Sequence, residues 1–453
     1  MQETGVAQIR FGYGFGPYAA PVTRAELLSD AVGPDQSAKR FPGLHLTEAL
    51  DLGQAIRAAN KDRQRGALGA QRRYKAARDA VRDAGDAGVK TALARVVDAK
   101  SPFRERLTWF WADHFTVAPQ NLFSRATALS FIDDAIRPNI LNSFSEMLKA
   151  VIRHPSMLIY LDQHRSIGPQ SLVGKRTGRG LNENLARELL ELHTMGVGTG
   201  YTQDDVRAAA ELLTGLSFDM DKGFVFRRHI AQPGPDTVLG KSYGAGQRAS
   251  IADIDAFLED LALRPETGQH LARKLAVHFI ADAPPAALVS DLALAYDKSG
   301  GDLGAMTAVL MAHSESATST LRKVKTPFEF IASALIALGF QGRDIEKFEA
   351  QDLRRMVLRP MAGMGQPFMR PPGPDGWPED PAHWITPQGL ATRITWAVAV
   401  ADKIGNRVGD PRFFLERTLG AVGAQQLRFA VSAAETQAEG IALVLASAEF
   451  NRR

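Results

Sequence analysis

The chain has 453 residues, 45% of them apolar and 23% charged, and a formal net charge of +4 at pH 7. That composition excludes disorder and fibrous repeats, and so small a charge makes no demand for nucleic acid. The absence of cysteine excludes disulfides, Cys-ligated zinc, iron–sulfur clusters and thiol nucleophiles.

No apolar run reaches the roughly 18–20 residues of a membrane span. Residues 1–20 lack a basic region followed by an apolar core, so no secretory signal is expected. This makes the protein cytoplasmic by default, or exported by a route that its own sequence does not show. The opening segment is rich in glycine and aromatics, Phe11-Gly-Tyr-Gly-Phe-Gly-Pro17. It lacks the Gly-Lys-Ser/Thr ending of a phosphate loop and reads as a packed N-terminal arm.

Residues 54–100 are helical and polar, with twelve Lys/Arg against five Asp. Such basic helices can bind phosphates or an acidic partner, or can be a solvated face. Tyr74 is the one aromatic among them, which disfavours base stacking and hence nucleic acid. Further on, Ser101-Pro102, Thr326-Pro327 and Thr386-Pro387 each place a capping hydroxyl before a proline that has no N–H to lose. Thr202 to Asp205 reads as a capping box, and Gly215, Gly339 and Gly405 read as helix stops. Helices are expected over 103–117, 155–163, 182–195, 203–214, 270–281, 327–339 and 387–403. Asp221-Lys-Gly223 between two β-prone runs predicts a small hairpin near 217–228. The Pro/Gly-rich loop 365–387 carries Trp377 and Trp384 and is expected to pack down. The fold class is therefore all-α, multi-helix, with one small hairpin. No repeat or sharp linker cuts the chain, so it reads as one large helical domain, in one piece or in two lobes. Its regions are the N-terminal arm and basic helices (1–100), a central core (101–216), a hairpin and loop insertion (217–250) and a C-terminal helical region (251–453).

Two helices carry the candidate chemistry. On 103–117, Phe103, Leu107, Phe110, Trp111 and His114 share one arc of about 100°. His114 thus sits in an aromatic stripe, either as a core histidine satisfied by the backbone or a carboxylate, or as a ligand or base. On 182–195, Glu183, Asn184, Arg187, Glu188 and Glu191 form one polar face, opposite Leu185, Leu189, Leu190 and His193. Glu183, Arg187 and Glu191 have the i, i+4, i+8 spacing of a surface ion-pair ladder. If that face is buried, its surplus of carboxylate requires a metal, a histidine or a basic ligand. His154 is placed to cap the helix that starts at Pro155, and Asp162 and His164 close its far end. The signatures Gly-x-Ser-x-Gly, His-Glu-x-x-His and Gly-x-Gly-x-x-Gly are absent in their proper context.

A set of segments resembles the bacterial family catalogued as domain of unknown function 1800. They include Ile9-Arg-Phe-Gly12, Trp109-Phe-Trp-Ala-Asp-His-Phe115, Asn182 through Gly196, Tyr201 to Val206, Leu239-Gly240, Lys325-Thr-Pro-Phe-Glu329, Gly376-Trp377 and Trp384-Ile-Thr386. They run in order over nearly the whole chain. The resemblance implies a large helical protein with no activity to carry over. It also implies, as in family members encoded beside a secreted sulfatase-like protein, a possible partner of that kind and export alongside it. Members often have Asp after the histidine that follows the hairpin; here His229 is followed by Ile230.

Three readings follow. In the first, the protein is a metal-dependent enzyme or metal-binding protein: His114, Glu188 and Arg187 carry catalysis, and His114, Glu183, Glu188, Glu191 and Asp162 hold a divalent ion. Asn182, Asn184, His193, His229, Lys325, Trp377 and Trp384 accompany them. In the second it is a non-catalytic partner of the sulfatase-like protein. In the third, basic helices 54–100 bind nucleic acid or an acidic partner. Whether it is an enzyme at all stays open.

Overall fold

The computed structural model describes residues 2–18, 20–244 and 248–453. Among them the chain is mostly helical, with two small antiparallel hairpins. The first pairs Leu216–Asp219 with Gly223–Phe226, Asp219 opposite Gly223, at the expected place. The second pairs Asp236–Val238 with Lys241–Tyr243 and was not expected. Its turn residues Leu239 and Gly240 both have positive φ, 52° and 78°. Such a turn normally announces itself with Asn or Asp at the first position, and leucine hides it. Leu239 is held there because its N–H donates to Asp205 Oδ1 at 2.6 Å.

Most predicted helix starts are real, and their ends are decided locally. Thr326 and Thr386 accept from the N–H groups of Glu329 and Gly389, and Thr202 forms its capping box with Asp205. Ser101 makes no such bond. His154 caps Pro155–Tyr160, its Nδ1 accepting from the Ser156 N–H at 3.2 Å. That helix stops early because Asp162 lies in the left-handed region at φ 55°. The helix expected from 270 begins at Pro265, another proline at the first turn, and runs to Phe279. Gly405 is not a stop: the helix Pro387–Val408 runs through it and ends at Gly409, φ 89°.

The expected helix 182–195 is corrected most. It is α-helical only over Asn184–Glu188, then widens into a π turn over Leu189–His193. A wheel of 3.6 residues per turn therefore loses register after Glu188. His193 is nonetheless buried among the leucines.

Among the described residues, beside two small hydrophobic clusters, two large ones fill most of the interior. One gathers the N-terminal arm, helix Pro102–His114 and the helices up to Leu303–Ala312. The other gathers Pro327–Ala337, Pro387–Val408 and the C-terminal helices against the end of Ala70–Val97. Helix Pro102–His114 lies where they meet. Phe103, Leu107, Phe110 and Trp111 face the first cluster, and Trp109 packs on the second through Phe328, with ring centroids 4.9 Å apart. Phe11 is fully buried between Phe103 and Phe279, so the glycine-rich arm is part of the core.

Candidate functional site

The sequence-predicted residues do not gather in one place. His114 is buried against Trp111 and Phe115. Its Nε2–H donates to the His193 carbonyl at 3.1 Å, and the Nε2–H of His270 donates to the Leu192 carbonyl at 3.2 Å. Carbonyls at the end of a helical segment have no partner of their own. Two imidazoles from helices Pro102–His114 and Pro265–Phe279 therefore cap the π turn. Burial holds His114 well below its ordinary pKa and lowers His193 to about 3 and His270 to about 4, so all three are neutral.

Glu183, Arg187 and Glu191 form the i, i+4, i+8 ladder at 3.3 Å on each side, with Gln203 joining at its edge. All three are only partly buried. Asn182 takes the Asn184 N–H on its Oδ1 and starts the helix. Asp162 pairs with Arg165 at 3.1 Å. Glu188 is half-buried and turns toward a different neighbourhood. Burial first, then Glu191 and Asp375, raise its pKa. His229 is exposed beyond the first hairpin, and Ile230 beside it is buried. The structure thus brings His114, His193 and His270 together and leaves Glu183, Glu191 and Asp162 elsewhere. Among the described residues, no three His, Asp or Glu side chains come together as metal ligands.

A cavity of about 110 Å³ opens at the meeting of the two cores. Its walls are aromatic: Trp109, Phe131, Phe328, Phe368 and Trp377. The loop 365–387 is packed down and closes one side. Trp384 is 1% exposed and donates its indole N–H to the Pro378 carbonyl, and Trp377 lies 5.9 Å from it. Gly376 allows the approach: at φ 85°, a Cβ there would stand 2.7 Å from the Asp113 carbonyl oxygen.

Into this apolar space project a few convergent polar groups. Asp113 accepts the Trp377 N–H on Oδ1 at 3.0 Å, and burial raises its carboxyl to about 7, with Glu379 and Asp375 adding to the rise. Lys274 opposes that rise and is itself lowered by burial. His278 donates Nδ1–H to Glu379 Oε1 at 2.5 Å, which leaves Nε2 as an acceptor, and Arg106 Nη2 meets it at 3.3 Å. Burial lowers His278 to about 4 against the pull of Glu379, so the ring is neutral. Tyr13, 2% exposed, lines the same space, and among the described residues nothing hydrogen-bonds to its hydroxyl.

Behind this wall lies a buried ionic cluster. Glu329 takes Arg106 on Oε1 and Arg453 Nε on Oε2 at 2.9 Å, while its Oε2 also receives the Thr326 N–H at 2.9 Å. Lys323 joins Glu379 at 2.9 Å and also pairs with Asp282. Lys325 lies over the face of Phe450, at 4.2 Å, and burial lowers it to about 7 against the pull of Glu329.

Sequence reasoning missed Tyr13, Arg106, Asp113, His278, Glu329 and Glu379. Asp113 and Glu329 stand inside segments already singled out. Their role depends on partners far along the chain, Arg106 with Glu329 being 223 residues apart. The one local signal was Arg106 itself, a charge one turn beyond Phe103 at the edge of the aromatic arc.

No curated protein and no solved structure matches this chain. Residues 9–452 match the family model DUF1800, described as a protein of unknown function, and the chain belongs to that family.

Proposed function

We propose that the protein binds a small, largely apolar molecule in the aromatic cavity and moves a proton on it, with Asp113 as the acid–base group. The observation that carries this reading is the Asp113 carboxyl. It lines an apolar cavity, has one oxygen fixed by the Trp377 N–H, and titrates at about 7. A catalytic acid or base works best with a pKa near the working pH. Tyr13 and the Glu379 carboxylate offer hydrogen bonds to the polar end of the bound molecule, and Trp109, Phe328 and Phe368 stack on its body.

The test has two parts. An aromatic reporter dye, anilinonaphthalene sulfonate, should bind the parent at one site and fail to bind Ala112→Trp, which fills the cavity. Deuterium exchange from heavy water into a panel of aromatic ketones and lactones should then rise with an inflection near pH 7. Asp113→Asn should abolish it. Equal dye binding by parent and Ala112→Trp would remove the cavity from the reading; exchange untouched by Asp113→Asn would remove the acid–base role.

A further inference from the structure

The basic helices form an antiparallel hairpin, Leu46–Gln64 and Ala70–Val97. Its base is packed: Ala49, Ile56 and Val81 share a small core with Ala126. Its distal end is not. Between residues 61 and 78 only Ala70 is fully buried, and Lys61, Arg63, Arg65, Arg72, Arg73, Lys75 and Arg78 are all exposed. One carboxylate, Asp62, stands among these seven cations, and Arg73 takes it at 2.8 Å. Among the described residues, Lys61, Arg65, Arg72, Lys75 and Arg78 meet no carboxylate.

At the outermost point sits Leu68, 97% exposed. It is held there by a built turn. Gly66 and Gly69 on either side have φ of 69° and 71°, and the N–H groups of Gly66, Ala67 and Ala70 are bonded to Arg63, Asp62 and Ala67 carbonyls. An apolar tip ringed by long cationic side chains matches the boundary of an anionic bilayer. There the leucine enters the acyl region, while Arg and Lys lay their stems along it and keep their charges at the headgroups. A nucleic acid would ask for free aromatic faces, but the Tyr74 ring is covered by the Arg63 guanidinium at 4.1 Å. We propose that the tip of this hairpin docks the protein on a membrane surface carrying anionic phospholipid, with Leu68 inserted.

The absence of cysteine makes a direct test simple. Leu68→Cys in the full chain takes a single environment-sensitive NBD label. Vesicles of phosphatidylcholine with phosphatidylglycerol should bind the protein, brighten the label and shift it to the blue; phosphatidylcholine alone should do neither. Unlabelled Leu68→Ser should bind about tenfold more weakly. Reversing Arg65, Arg72, Lys75 and Arg78 to Glu should cost at least about 100-fold at roughly 0.15 M salt. No binding to the anionic vesicles would overturn the proposal, as would wild-type binding by the charge-reversed protein. So would binding with the label still in water, which would make the tip a reader of any polyanion.

Discussion

Glu329 is the place where the buried electrostatics can be weighed. It is 6% exposed and is the carboxylate on which both Arg106 and Arg453 converge. Those arginines, with the Thr326 N–H, overcome the cost of its burial and hold it at about 2, against an ordinary 4.5. A carboxylate depressed in the folded state adds stability above its unfolded pKa and loses it as the pH falls through the folded one. The lowering is worth about 3 kcal/mol, all present at pH 7 and given up between about pH 4.5 and pH 2. Glu329→Gln keeps the shape and the acceptor for Thr326 but strands two arginines. Breaking a buried pair this way costs about 3–5 kcal/mol. Urea unfolding followed by tryptophan fluorescence, with Trp109 beside the cluster, should show that loss at pH 7. The gap between parent and variant should narrow as the pH falls from 4.5 toward 2. A loss below about 1 kcal/mol at pH 7, or a gap unchanged with pH, would refute the claim that this cluster depends on its carboxylate.

Asp113 has the opposite sign. Its folded pKa, about 7, is raised above the ordinary 3.8, so folding weakens as the pH rises from about 4 through 7. Asp113→Asn should therefore stabilise the protein at pH 8, by up to about 4 kcal/mol, and urea midpoints at pH 5 and pH 8 will check it. Gly376→Ala should do the reverse, because a Cβ would press on Asp113 from a backbone of positive φ; a loss of about 1–3 kcal/mol and a shifted Asp113 carbon resonance are expected. His114→Ala should lose about 3 kcal/mol by uncapping the His193 carbonyl and opening a cavity. Elemental analysis by mass spectrometry should find the same divalent-metal content before and after that change. Glu191→Gln, at the partly exposed ladder, should cost less than about 1 kcal/mol in the same urea assay.

The helical class, the first hairpin and most helix starts were legible because they rest on neighbours in sequence. A threonine before a proline caps its own helix, as at Thr326 and Thr386. Apolar spacing told which face of Pro102–His114 is buried, and so placed His114 in the core. It could not tell that the imidazole spends its N–H on the carbonyl of His193, since that bond spans 79 residues. The second hairpin was hidden because an N–H···Asp205 bond, not turn chemistry, holds Leu239 in place. The π turn at 189–193 was hidden because periodicity assumes one pitch. The cavity belongs wholly to the tertiary structure. Asp113, Glu329 and Glu379 are ordinary carboxylates in the sequence. Only the closing of loop 365–387 over Asp113, and the burial of Glu329 between Arg106 and the distant Arg453, separates their pKa values. Local pattern fixes which residues are helical and which face is apolar; desolvation and long-range pairing decide what a charged side chain can do.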